Sequence, residues 1–91
     1  MNKADLIERL SKQANISKTQ TEQFLNAALE IIQQSVSAGE DVKLVGFGTF
    51  DRSQRKARKG RNPKTGTEVQ IPATAVPRFR PGKEFRSLVT N

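Results

Sequence analysis

Residues 52–64 of this 91-residue chain read Arg-Ser-Gln-Arg-Lys-Ala-Arg-Lys-Gly-Arg-Asn-Pro-Lys, with seven basic residues, no acid and one apolar side chain, Ala57. No core accepts such a stretch, because an unpaired buried charge costs on the order of several kcal/mol. The segment must lie in water or against a polyanion.

The next residues separate a loop from an arm. Val69, Ile71, Ala73 and Ala75 alternate with Glu68, Gln70, Pro72 and Thr74, the two-residue period of a strand, and Asn62-Pro63 to Gly66 supplies turn chemistry. A long β-hairpin arm is predicted over about residues 52–76, projecting into solvent. On its outgoing strand Arg52, Lys56 and Arg58 face one way and Arg55, Lys59 and Arg61 the other, so neither face suits an apolar layer. At about 3.3 Å per residue, the stretch from Ser53 to Asn62 reaches ~30 Å, against a minor-groove depth of about 7.5 Å. Arginine suits that groove, being flat, permanently charged and drawn to its negative potential. Pro63 at the tip, flanked by Arg61, Asn62 and Lys64, is an ordinary turn-former that is also placed to wedge between base pairs.

The rest of the chain has other periods. Asn2 can cap a helix with Leu6, Ile7, Leu10 and Ala14 on one stripe, ending near Ala14. Ser17 with Gln20 has the form of a capping box and starts a second helix. Its apolar residues, among them Phe24, Leu25, Leu29, Ile31, Ile32 and Val36, span an arc too wide for one packing face, before Ser37-Ala38-Gly39 ends it. That arc needs cover from the later strands and from a second copy of the chain. Val42 and Leu44 alternate with Lys43, Gly46-Phe47-Gly48 forms a turn and Thr49-Phe50 resumes an extended run, giving a short hairpin. After Pro81-Gly82, Phe85, Leu88 and Val89 describe a short closing helix.

Charge divides unevenly along this layout. Residues 1–41 hold four basic and six acidic residues, net −2, and residues 42–91 hold twelve and three, net +9. A helical scaffold carrying a polyanion-binding surface fits that asymmetry. All three predicted helices also open on a lysine, Lys3, Lys18 and Lys83, where a cation opposes the helix dipole by about 0.3–1 kcal/mol unless a phosphate joins it.

Several function classes fall away. With no Cys and no His there is no thiol nucleophile and no imidazole, and no cofactor or metal site is expected. The only close carboxylates are Asp5 with Glu8 and the Glu40-Asp41 pair, which read as first-turn helix charge and a solvated turn, so an enzyme is not expected. Gly60 to Gly66 lacks the Gly-Lys-Ser/Thr ending of a phosphate loop. No apolar run is long enough for a signal peptide or a membrane span, and the cationic segment is not helical, which argues against a membrane partner. A soluble cytoplasmic protein that binds duplex DNA is the expectation, with structured RNA as the competing partner.

Gly46-Phe47-Gly48-Thr49-Phe50, then Arg55, Arg58 and Gly60-Arg61-Asn62-Pro63-Lys64-Thr65-Gly66, resemble the signature of the HU and integration host factor family, and the likeness extends from Met1-Asn2-Lys3 to Gly82-Lys83. The resemblance implies an α+β fold in a single domain over residues 1–91. Residues 1–39 form a helical dimerisation part, and residues 40–91 a short antiparallel sheet, the long arm and a short C-terminal helix. It implies an intertwined homodimer at the bacterial nucleoid that bends and compacts duplex DNA with little sequence preference, favouring bent, nicked or mismatched sites. By position, Pro63 would intercalate, Arg55, Arg58, Arg61 and Asn62 would line the groove, and Lys3, Lys18 and Lys83 would hold phosphates. Arg52, Lys56, Lys59, Lys64, Arg80 and Arg86 complete the candidate DNA contacts, and Phe47, Phe50 and Phe79 match core positions. Arg78 departs from the pattern, standing where the family more often has a small residue, and its role is left open.

Overall fold

The computed structural model describes residues 1–71 and 73–90. Its elements run α1 (Lys3–Ala14), α2 (Lys18–Ser37), β1 (Val42–Leu44), β2 (Gly48–Arg55), β3 (Arg58–Arg61), β4 (Glu68–Ile71), β5 (Thr74–Pro81) and α3 (Lys83–Thr90). The α+β composition, with two helices first and one last, is the expected one. Two compact units divide the chain, Met1–Gln34 and the residues from Ser35 onward, so the division falls inside the last turns of α2.

Local chemistry explains the helix limits in the first unit. Asn2 Oδ1 accepts a hydrogen bond from the Asp5 N–H at 2.9 Å, and the Asp5 carboxylate accepts the Asn2 N–H at 3.2 Å, a reciprocal capping box. Asn15, in the left-handed region at φ 57°, ends α1 with its N–H donated to the Ser11 carbonyl. Ser17 Oγ accepts the Gln20 N–H at 3.1 Å and opens α2. Thr21 is fully buried and donates its hydroxyl to the Ser17 carbonyl at 2.8 Å. A small polar group thus enters the interior without an orphaned donor.

In the second unit α2 ends with the Gly39 N–H on the Val36 carbonyl and the Glu40 N–H on the Ser35 carbonyl, at 3.0 and 2.9 Å, the paired bonds of a Schellman ending. The strands form two antiparallel sheets, β1-β2-β5 and β3-β4. In the first, Val42 pairs with Phe50 and Leu44 with Gly48, while β2 and β5 pair from Gly48↔Pro81 to Arg55↔Thr74. The register resumes in the second sheet at Arg58↔Ile71 and runs to Arg61↔Glu68. Two residues intervene on each side, so the arm breaks without slipping.

The hairpin arm is therefore carried by two ladder segments. Lys56 and Ala57 are not in a strand, nor is Ala73, and the strand-pattern position Pro72 lies outside the described residues.

One face of the larger sheet is aromatic. Phe50 and Phe79 pair directly with ring centroids 4.8 Å apart, and Phe47 lies 5.2 Å from Phe79 and 5.3 Å from Phe85. Yet Val36 is the one apolar residue among those described that is buried in the single chain. Phe24 is 63% exposed, Leu88 83%, and Leu29, Ile31, Leu44, Phe47, Phe79 and Val89 also face out.

Candidate nucleic-acid interface

The outer sheet carries the tip. Alternation on β3 places Lys59 and Arg61 on one face, opposite Gln70 and Glu68, and Arg58 with Gly60 on the other, where Gly60 stands opposite Val69. Cations therefore stand on both faces, as expected, although Lys56 sits in the break and belongs to neither. The tip closes through the Asn62 N–H on the Thr67 carbonyl at 2.8 Å and the Gly66 N–H on the Asn62 carbonyl at 2.7 Å. Asn62 Oδ1 accepts the Lys64 N–H at 2.9 Å, an Asx turn, and Gly66 takes φ +71°, which side-chain-bearing residues rarely adopt. Pro63 is held exposed at the apex of this turn. Asn62, expected to line a groove, is half-buried with its oxygen engaged in the turn, which leaves its amide N–H groups as the donors for any ligand.

A second cationic surface lies at the base of the arm. On the face of the β2–β5 ladder opposite the phenylalanines, Asp51 pairs with Arg78, and Arg55 and Arg80 share that face. Asp51 is buried. Its Oδ1 accepts Arg78 Nε at 2.8 Å, and its Oδ2 accepts Arg78 Nη2 at 3.2 Å and Arg80 Nη2 at 2.8 Å. The Arg78 hydrogen bonds outweigh desolvation and, with the charges of Arg78 and Arg80, hold the Asp51 carboxyl below its ordinary range, while the Asp51 bonds push the Arg78 guanidinium up.

Other candidate residues are placed less uniformly. Arg52 lies on the phenylalanine side of β2 and donates Nη1 to the Ser37 carbonyl at 3.3 Å, where a cation complements the end of α2. Lys83 opens α3, which is anchored by the Gly82 N–H on the Phe47 carbonyl at 2.8 Å, with the Arg86 N–H on the Gly82 carbonyl at 3.0 Å. Arg86 is exposed on this helix. Lys3 and Lys18 each open their helices in the first unit, but the α1 start already holds its own carboxylate, Asp5, whereas the first turn of α2 has none. Each candidate cation is exposed.

Two features are not anticipated by sequence reasoning. Asp51 has no role there, although an acid standing between Phe50 and Arg52, in alternation with a core phenylalanine, is a visible signal. The link from Arg52 to Ser37 has no local sequence signature. Among the described residues no cluster suits a metal ion, and no helix is long and apolar enough to cross a membrane.

Comparison with known proteins points the same way. A family model described as bacterial DNA-binding protein matches residues 1–90. The chain is 51% identical over 89 residues to the DNA-binding protein HU of Nostoc sp. (strain PCC 7120), covering 98% of this chain and 95% of that protein. It is 47% identical to the DNA-binding protein HU of Staphylococcus aureus (strain COL), covering 98% and 99%. Among solved structures it is similar to an Anabaena HU–DNA cocrystal structure at a TM-score of 0.88 and 50% identity, covering 98% of this chain and 97% of that one. HU from Thermotoga maritima matches at 0.69 and 30%, covering 98% of each.

Proposed function

The chain belongs to the bacterial DNA-binding protein family, and from that premise we propose that it is an architectural protein, not an enzyme, that bends duplex DNA as a homodimer with little sequence preference. The observation that carries this reading is the arm itself: a two-stranded sheet with cations on both faces and an exposed proline at a closed tip. A ribbon of that build enters a minor groove, its arginines follow the negative potential, and Pro63 wedges between base pairs at a cost of a few kcal/mol in lost stacking. The bend brings phosphates to the cations at the base of the arm and at the helix starts, which offset that cost. Sites already nicked, mismatched or bent are preferred because less stacking remains to be broken.

Pairing of two chains is argued from the apolar surface. A chain that buries only Val36 among its described apolar residues, and leaves phenylalanine and leucine side chains in water, gains about 25 cal/mol for each Å² it covers. A second copy supplies cover for both units at once. A nucleoid protein of the cytoplasm is the corresponding location.

The test is binding and bending measured together. End-labelled duplexes, intact or nicked, are titrated at two salt concentrations with end-to-end energy transfer as the readout. Tighter binding to the nicked duplex, with bending and a steep loss of affinity in salt, is the expected result. Equal affinity without bending would reject the architectural role, and preference for structured RNA over duplex DNA would replace it.

A further inference from the structure

We infer that Asp51 is a positioning residue for DNA bending, setting Arg78 and Arg80 side by side as a paired phosphate clamp on the outer face of the β2–β5 ladder; this rests on the proposed DNA-bending role. The carboxylate lies beneath the two guanidiniums: its side chain is 6% exposed, against 47% for Arg78 and 57% for Arg80. An acid that merely neutralised a basic surface would stand in solvent among the bases. This one is nearly closed off from solvent, while the two guanidiniums bonded to it stay about half exposed.

The bonding divides the labour between the two arginines. Arg78 commits Nε and Nη2 to the carboxylate, whereas Arg80 commits Nη2 alone. Arg80 keeps the Nε and Nη1 donors and Arg78 keeps Nη1. Two guanidiniums this close repel each other, and the shared carboxylate offsets that repulsion while holding two long side chains in one geometry. Preorganised donors favour a backbone that is already curved toward them, because a straight duplex and a bent one present phosphates at different places. The same geometry gives Arg78 a function: it is the bracket that orients the site, with Arg80 the principal phosphate ligand.

The experiment compares full-length wild type, Asp51→Asn and Arg78→Lys on intact and nicked duplexes, at two salt concentrations, with energy transfer reporting the bend. Asp51→Asn removes one negative charge, so a purely electrostatic role tightens binding to both duplexes equally. Positioning predicts instead that the nicked-to-intact affinity ratio falls at least threefold and the bend signal drops. Arg78→Lys keeps the charge but cannot form the two-point bond, and is expected to reproduce the fall. Melting curves select the variants folded at the assay temperature, and Arg78→Lys carries the test if Asp51→Asn is unfolded. Wild-type bending with an unchanged ratio in the folded variants overturns the inference alone. A wild-type protein that bends neither duplex overturns the bending reading and the inference with it.

Discussion

The Phe79 ring covers Gly48 so closely that a Cβ on Gly48 would lie 2.6 Å from a ring carbon, and 2.6 Å from the Arg80 carbonyl oxygen. The ring can turn, but the oxygen belongs to the paired strand and cannot yield without disturbing the ladder. Gly48→Ala is therefore expected to destabilise the fold by about 1–3 kcal/mol, the usual range for overpacking. Chemical denaturation of the wild type and the variant measures it, and a difference below half a kcal/mol would contradict the close approach.

Acid should weaken the fold through Asp51. Its carboxyl is lowered from an ordinary value of 3.8 by Arg78 and Arg80, so its contribution is fully present above that value and is lost as pH falls through the lower, folded one. Asp51→Asn is expected to melt with a shallower dependence on pH below about 4. Thermal melts across pH 2.5 to 7 compare the slopes of the two proteins on that limb.

Pro63 and Lys83 should separate bending from attraction. Pro63→Ala is expected to reduce the bend and the preference for nicked duplex several-fold, while the dependence of affinity on salt stays the same. An unaltered energy-transfer change on binding would reject the wedge.

Lys83→Ala, by contrast, should weaken binding to intact and nicked duplexes alike and reduce the salt slope by about one unit. Titrations at four salt concentrations give that slope, and an unchanged value means that no phosphate meets this lysine.

Pairing predicts a melting temperature that depends on protein concentration, because dissociation accompanies unfolding. A hundredfold dilution is expected to lower the midpoint by several degrees. A midpoint independent of concentration, together with a monomer mass in sedimentation equilibrium, would remove the dimer.

Much of this architecture is legible in sequence because it is written locally. Ser17 and Gln20 at cap spacing, Gly39 after an apolar run, and Val69 onward in alternation each report on their own few neighbours; α2 starts and ends where its signals put it, and β4 and β5 carry the alternation, although Ala73 stands in neither strand. The register of Asp51 with Arg78 depends on residues far apart in the chain, and nothing near Asp51 announces its partners. Arg52 reads as one more base of the arm, yet the ladder turns it toward the end of α2. Even the capping pair of Asn2 and Asp5 is half visible: Asn2 reads as a cap, while Asp5 reads only as first-turn charge. Properties carried by type and spacing are readable, whereas those carried by which strand lies opposite require the fold.

The bonds that close residues 62–67 need no ligand. Asn62, Lys64, Gly66 and Thr67 hold one another, so the conformational entropy of shaping the apex is lost during folding and not again at each encounter with a duplex. On the proposed DNA-bending role, Pro63 would meet each duplex in a turn that is already formed. The same role would leave residence time at each site to the DNA's readiness to open, with no rearrangement of the protein to add to it.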